Sequence, residues 1–532
     1  MFSFVELGGR SDFLDLGGRP ALGFLRLACS RLKYSEPRLA IAFPPFRPGL
    51  RAAASFFFAK FRSCSLAPEG IIEAVFGRLT LIKKIVLTLS FLSFVSAVSF
   101  GIERQPNSVY HARRVALSQE TKGGEVLLFA PTEEGEALYG FRQDSSFYYL
   151  TGWMEPGAAL LLVPAGTKLS PDSKPADYTE ILFLPGHNQI REKYTGPKLG
   201  AENPDAAKIT GFDHVATLDE LRNELVRLLP AGVLPGPPGT VYTDSGEQGA
   251  STPSTRALDW LHRANAFGRT RFEDVNPLIT SLRMVKDDGE MAFIRKAVSA
   301  SMAAHMAAAR AMKPGTNERN IAALMQYEFE NRGCERPAYA PIVGSGANST
   351  VLHYGANSGQ IENGDVVVMD VAGEFSMYAA DITRTLPANG HFSPRQREIY
   401  GIVLGAQQAT EKAFQNGKSV MTGMGPDSLF QVAYEYINSH GKDQHGQPLG
   451  QYFVHGLGHG VGLDVHDPTH YSERLKPGMV ITLEPGIYIP EEKLGVRIED
   501  MYWVDPNGTL VKLTADLPST AEQVEQAMKG SL

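Results

Sequence analysis

Four carboxylates of this chain stand inside apolar runs: Asp370 in DVVVMDVAGE (365–374), Asp381 in AADITRTL (379–386), Glu484 in VITLEPGIYI (480–489) and Glu499 in GVRIEDMYWV (495–504). A buried carboxylate needs a compensating charge or a metal. For one such acid an ion pair to Arg or Lys would suffice. For four, Arg384 and Arg497 are the only basic residues within the runs, so shared cations are the better account. Arg497, two residues before Glu499 and on the same face of a strand, is suited to orient a carboxylate through charge-assisted hydrogen bonds. The segment HGLGHGVGLDVHD (455–467) adds His455, His459 and His466 on a glycine-rich backbone. A lone histidine in an apolar run is ordinarily a core residue, but three grouped in this way are hard to explain by packing. Glycine at 456, 458, 460 and 462 disfavours a helix, which excludes the helical His-Glu-x-x-His zinc motif. No Gly-Lys-Ser/Thr follows, so it is not a phosphate loop either. His353, in TVLHYG, is the fourth histidine of interest.

These residues need a scaffold, and its pattern divides the chain. Between 104 and 275, EVLLFA (125–130), FYYL (147–150), ALLLVPAG (159–166) and TEILFLPG (179–186) read as buried strands bounded by turn residues. With a helix over 218–229 they imply a smaller α/β domain, and LPAGVLPGPPG (228–239) reads as a loop. From 276 to 517 the pattern is helix pairs followed by apolar strands. Asp287 or Asp288 caps a helix running to about Met312, and a second follows Thr316 and ends at Gly333. Ser393-Pro394 opens a third that closes near Gly417, and a fourth spans about 426–439. Each pair precedes a His-bearing segment and two strands carrying acids, a faint internal two-fold. The 365–374 and 379–386 runs read as a β-hairpin with a short connection, and 518–532 reads as a tail.

Composition bounds the function classes. The 532 residues carry a net charge of −7, which gives no support to nucleic-acid binding. Three cysteines (Cys29, Cys64, Cys334) exclude a disulfide framework and a four-cysteine zinc site. Residues 1–99 hold 13 Lys+Arg against 6 Asp+Glu, which leaves the body at −14. Lys83-Lys84, the run IVLTLSFLSFVSAVS and the small residues Ala97 and Ser99 match a signal peptide over 81–99, giving an exported, periplasmic or extracellular protein with no stable membrane span once mature. Residues 1–80 are a poorly patterned extension, read as an over-extended start. An Arg-rich organelle transit segment, or a cytoplasmic protein, is the alternative.

The body, 104–517, resembles the pita-bread metallopeptidases of the aminopeptidase P and prolidase branch. The resemblance is carried in order by His353, Asp370, DITRT, HGLGHGVGLDVHD, LEPGIY and RIED, with FRQDSSFYYLTG (141–152) similar to the aminopeptidase P amino-terminal domain. It implies an α/β fold, with a pseudo-two-fold pita-bread catalytic domain behind a smaller α/β amino-terminal domain. It also implies two divalent metal ions held by Asp370, Asp381, His459, Glu484 and Glu499, with Asp381 and Glu499 bridging. So oxygen-rich a donor set suits manganese ahead of cobalt or zinc. The implied chemistry is attack of a metal-bridging hydroxide on a peptide carbonyl, with Glu484 shuttling the proton and His353, His455 and His466 positioning the substrate. The implied substrates are peptides with proline second, cleaved after the first residue. An Xaa-Pro dipeptidase is the nearest alternative and an inactive pita-bread binding protein the other; assembly as a homo-oligomer is family analogy.

Overall fold

The computed structural model describes residues 102–530, apart from 134–139, 167–178, 229–239, 245–259 and 261–270. The signal-peptide and extension readings, and the 228–239 loop beyond Leu228, lie outside the described residues.

The amino-terminal part opens with α1 (Asn107–Glu120) and builds one mixed sheet from β1 (Glu125–Phe129), β2 (Ala159–Leu162), β3 (Glu180–Leu184), β4 (His214–Thr217), β5 (Thr240–Thr243) and β6 (Arg271–Asp274). Its order is β4-β3-β2-β1-β5-β6, with the central β2 antiparallel to both β1 and β3 and the outer pairs parallel. The central strands β1, β2 and β3 are short, mostly apolar and buried on both faces, so both faces must be covered. Helices of this part are α2 (Ser145–Thr151), α3 (Gln189–Thr195), which buries no residue, α4 (Ala206–Thr210) and α5 (Leu221–Leu228). Here one expectation fails. FYYL is not a strand but the body of α2: the Asp144 carboxylate accepts from the Phe147 N–H at the N-cap, and Gly152 closes the helix at φ 60°. A four-residue apolar run has too few residues for periodicity to separate helix from strand, and the caps decide.

The second part begins with α6 (Asn276–Arg283), α7 (Asp288–Ala311) and α8 (Glu318–Glu330). Asp287 and Glu290 form a reciprocal capping box at the start of α7. The strands β7 (Arg336–Pro337), β8 (Ile342–Ser345), β9 (Val366–Asp370), β10 (Gly373–Phe375), β11 (Tyr378–Ala379) and β12 (Thr383–Pro387) follow. β9 and β12 are antiparallel partners, with Asp370 opposite Thr383, so the hairpin pairing stands. Its connection is longer than the sequence suggests: β10 and β11 leave for a separate sheet, turning at Ser376 and Met377 with φ 49° and 74°.

The motif then repeats. α9 (Pro394–Gln415) and α10 (Leu429–His440) pack together as α7 and α8 do. They precede β13 (Val480–Leu483), β14 (Gly486–Ile489), β15 (Leu494–Arg497), β16 (Asp500–Val504) and β17 (Leu510–Lys512). The runs 480–489 and 495–504, expected as two unbroken strands, are each broken at the acid: β13 pairs with β16, and β14 with β15 in another sheet. Pro485 has no N–H to continue a ladder, which accounts for the first break. The 518–532 segment is more than a tail, since α11 (Ala521–Met528) buries Val524 and Ala527 against the body. Among the described residues no helix is long and apolar enough to cross a membrane.

Candidate metal centre

The breaks in the strands bring the acids together. Asp370 ends β9, Asp381 precedes β12, Glu484 follows β13 and Glu499 lies between β15 and β16. At a strand end a side chain escapes the alternation that would send neighbours to opposite faces. The two halves are stitched at this point. Thr383 and Glu499 form a β-bridge, and the Thr383 hydroxyl donates to Glu499 Oε2 at 2.7 Å. Thr385 Oγ1 both accepts from the Arg497 N–H and donates to its carbonyl.

All four acids line one cavity of about 640 Å³ together with His353, His455, His459, His466 and Arg497. Ligand atoms of Asp381, His459 and Glu499 lie within 4.8 Å of one another. His459 Nε2 is 3.3 Å from Asp381 Oδ2 and 3.4 Å from Glu484 Oε1. Its Nδ1 faces the Gly460 carbonyl at 3.1 Å, so Nδ1 carries the proton and Nε2 points at the acids, the usual preparation of a metal-ligating histidine. The glycines before and after it permit close approach: a Cβ on Gly458 would stand 2.1 Å from the Thr482 carbonyl oxygen, and one on Gly460 would stand 2.0 Å from Thr469 Oγ1.

Arg497 is the one fixed cation touching these acids among the described residues. It donates from Nη2 to Asp370 Oδ2 at 2.6 Å, from Nη1 to the Tyr488 hydroxyl at 2.8 Å and from Nε to Thr383 Oγ1 at 3.2 Å. Arg384 serves elsewhere, bonding Asp500 at 2.6 Å and the Glu499 carbonyl. One guanidinium against four carboxylates leaves a negative surplus, and the acids respond. Burial first, then the charges of Asp381, Glu484 and Asp370, hold Glu499 well above the ordinary carboxylate range. Burial lifts Glu484 to about 7 against the pull of His459 and Arg497, and raises Asp370 despite Arg497. For His459, burial opposes the charged form, yet the bond and charge of Asp381 and the charge of Glu484 outweigh it and raise it to about 9. Asp370 Oδ1 and Glu499 Oε1 are buried with no hydrogen-bond partner. A cluster of acids straining towards neutrality, with orphaned oxygens and a histidine nitrogen facing the same space, fits divalent cations.

The other histidines part company. His466 stacks on His459, ring centroids 3.9 Å apart and 12° from parallel, and burial followed by the charge of His459 lowers its pKa. His353 is exposed on the cavity wall. His455, expected to donate to the peptide, has both nitrogens engaged. Nδ1 donates to the Gly456 carbonyl at 2.8 Å, and Nε2 accepts from the Tyr488 hydroxyl at 2.9 Å. Burial, then Arg497, push it down to about 4, so at neutral pH it is uncharged. Asp467 of the same motif points away, into Arg283 at 2.6 Å and Lys286 at 3.0 Å. Sequence reasoning missed Thr383, Tyr488 and Tyr339. Burial and the charges of Asp370, Asp381 and Glu499 lift the Tyr339 hydroxyl well above its usual range. Thr383 lies inside the DITRT motif, which was its only signal.

The model of metallopeptidase family M24 matches residues 292–506, and that of the aminopeptidase P N-terminal domain matches residues 110–232. A Xaa-Pro aminopeptidase of Escherichia coli (strain K12) is 32% identical over 444 residues, which span 79% of this chain and 97% of that protein. The chain belongs to metallopeptidase family M24. It is therefore a peptidase, with a pita-bread catalytic domain behind an aminopeptidase P amino-terminal domain. The solved structure of Pseudomonas aeruginosa aminopeptidase PepP superposes with a TM-score of 0.68 at 30% identity, covering 80% of this chain and 99% of that one. A Xaa-Pro dipeptidase of Pyrococcus furiosus is 42% identical over 242 residues, 44% of this chain and 65% of that protein.

Proposed function

We propose that this M24 member is a Xaa-Pro aminopeptidase, releasing the first residue of peptides whose second residue is proline. The observation that carries the reading is the convergence of five metal-ligand side chains and Arg497 on one cavity. Asp370, Asp381, His459, Glu484 and Glu499 would hold two divalent cations, with manganese the metal such oxygen-rich donors favour ahead of cobalt or zinc. When bound, the ions supply Lewis acidity towards the scissile carbonyl and make the attacking water acidic enough to act near neutral pH.

The chain's own groups do the rest. Glu484, whose Oε1 stands 3.4 Å from His459 Nε2 in the same cavity, takes the proton of the attacking water and returns it to the departing prolyl nitrogen. That nitrogen belongs to a tertiary amide with no N–H, so a peptidase that must hydrogen-bond a scissile N–H fails on it. His353 and His466, on the cavity wall, donate to the carbonyl oxygen as charge develops there. His455 acts through Tyr488: the chain from Arg497 to Tyr488 to His455 holds the guanidinium against Asp370.

Matches to an Xaa-Pro aminopeptidase along 97% of its length, the amino-terminal domain included, favour this reading over the dipeptidase that the Pyrococcus relative represents. Rates on Xaa-Pro and Xaa-Pro-Yaa with Mn²⁺ decide: faster cleavage of the tripeptide is expected, and hydrolysis of the dipeptide alone overturns the proposal. Export rests on residues 81–99, and a native amino terminus near Phe100 is the supporting result.

A further inference from the structure

The buried face of α9 carries an amide among apolar residues. Val403 and Ala406 stand on it, and Gln407 beside them is 0% exposed. A buried amide is costly wherever one of its polar atoms goes unbonded, so a side chain kept in such a place should be fully partnered. It is. Nε2 donates to the Leu483 carbonyl at 2.9 Å and to the Ile498 carbonyl at 3.3 Å, while Oε1 accepts from Lys512 Nζ at 3.3 Å. Carbonyls can only accept and an ammonium can only donate, so these partners fix which end of the amide points which way.

The place of those carbonyls gives the bonds their meaning. Leu483 ends β13 and is followed by Glu484, and Ile498 lies in the break between β15 and β16 and is followed by Glu499. β13 and β15 belong to different sheets. The backbone joins the two breaks by a long bond, from the Ile498 N–H to the Pro485 carbonyl at 3.4 Å. Gln407 adds a tie through one nitrogen, on the residue just before each acid. The first half has a counterpart. His305, 2% exposed on α7, has Nε2 3.0 Å from the carbonyl of Val371, the residue after Asp370 at the break between β9 and β10. Burial, then the charge of Arg384, hold that ring down to about 3, so it is neutral and donates from Nε2. Each long helix thus sends a buried donor to a strand break beside a metal-binding acid.

Resting on the two-cation reading, we propose that Gln407 is a positioning residue: by holding the Leu483 and Ile498 carbonyls to one nitrogen, it sets the separation of Glu484 and Glu499 and so the affinity for the cations. It touches neither metal nor substrate and acts through the backbone of the two acids. A cation site is tight when its ligands are fixed before the ion arrives, and groups that fix them lie outside the ligand set.

Gln407→Met keeps the length and helix propensity of the side chain and removes both donors. Val403→Ala, one turn earlier on the same buried face, removes packing but no bond to the strand breaks, and is the structural comparison. Calorimetric titration of Mn²⁺ into the chelator-treated full chains, with thermal melts of the same proteins, reads affinity and stability separately. Gln407→Met is expected to weaken Mn²⁺ binding about ten-fold, the lower end for groups that orient metal ligands. The rise in melting temperature produced by a fixed Mn²⁺ concentration should shrink accordingly. Val403→Ala should lower the melting temperature and keep the parent affinity. Parent affinity in Gln407→Met overturns the positioning role and leaves the metal centre standing. An equal loss of affinity in both variants also overturns it, since the loss then follows stability alone. A parent chain that binds no Mn²⁺ overturns both readings.

Discussion

Replacing Arg497 with methionine keeps most of the side-chain length and removes the charge. In the folded chain that guanidinium is 4% exposed and makes three hydrogen bonds, to Asp370, Tyr488 and Thr383. Asp370 would be left with no cation touching it, in the company of Asp381, Glu484 and Glu499. Removing one partner of a buried pair costs about 3–5 kcal/mol. At about 2–4 °C per kcal/mol for a unit of this size, the metal-free variant should melt about 6–20 °C below the parent. Bound divalent cations offer Asp370 a second countercharge, so the gap should narrow when both proteins are saturated with Mn²⁺. Thermal melts followed by circular dichroism, with chelator and with Mn²⁺, measure both quantities. A gap under about 1 kcal/mol in chelator, the range of a surface pair, would refute the buried-pair reasoning. A gap that stays the same in metal would refute the claim that cations and Arg497 compensate the same acids.

Asp381→Ala removes a carboxylate from the tightest part of the cluster and is expected to lose bound metal and activity together; unchanged metal content by atomic emission would contradict its role. His466→Ala should keep the full metal content and lower turnover, since the ring stacks on the ligand His459 and serves the substrate; loss of metal would make it part of the centre. Metal affinity should rise with pH. The carboxyl of Glu484 is raised from 4.5 to about 7, so its contribution to the metal-free fold is complete below 4.5 and is lost as pH rises through 7. His459, raised from 6.5 to about 9, contributes below 6.5 and loses that contribution through 9. Cations need both groups deprotonated, so calorimetric titration with Mn²⁺ should show proton release and tightening from pH 6 to 9. Affinity that is flat or falling over that range would count against the ligand set.

The acids were legible because each interrupts an apolar run, and a charge in such a place demands an explanation. The helix pairs were legible for a local reason too: Asp287, Asn317, Ser393 and Ser428 each cap the helix that follows them. What escaped was non-local or too short. FYYL carries no decisive period, and only its flanking Asp144 and Gly152 mark it as a helix. The breaks at Glu484 and Glu499 send one apolar run into two sheets, which no pattern of polarity along the chain records. Thr383 and Tyr488 look like ordinary strand residues until folding sets them against partners 116 and 33 residues away. Even His455, correctly singled out by its motif, has a role that depends on the Tyr488 hydroxyl occupying its outer nitrogen.

The central claim is that five side chains from four strand ends and one glycine-rich loop hold two cations that cleave after a first residue followed by proline. Titrating Mn²⁺ into chelated protein, with bound metal counted and peptide products read by mass spectrometry, tests it most directly. The account predicts no cleavage without metal, release of the first residue alone from Xaa-Pro-Yaa peptides, and activity that saturates at two ions per chain. Full activity in excess chelator, or cleavage at bonds not followed by proline, would contradict it.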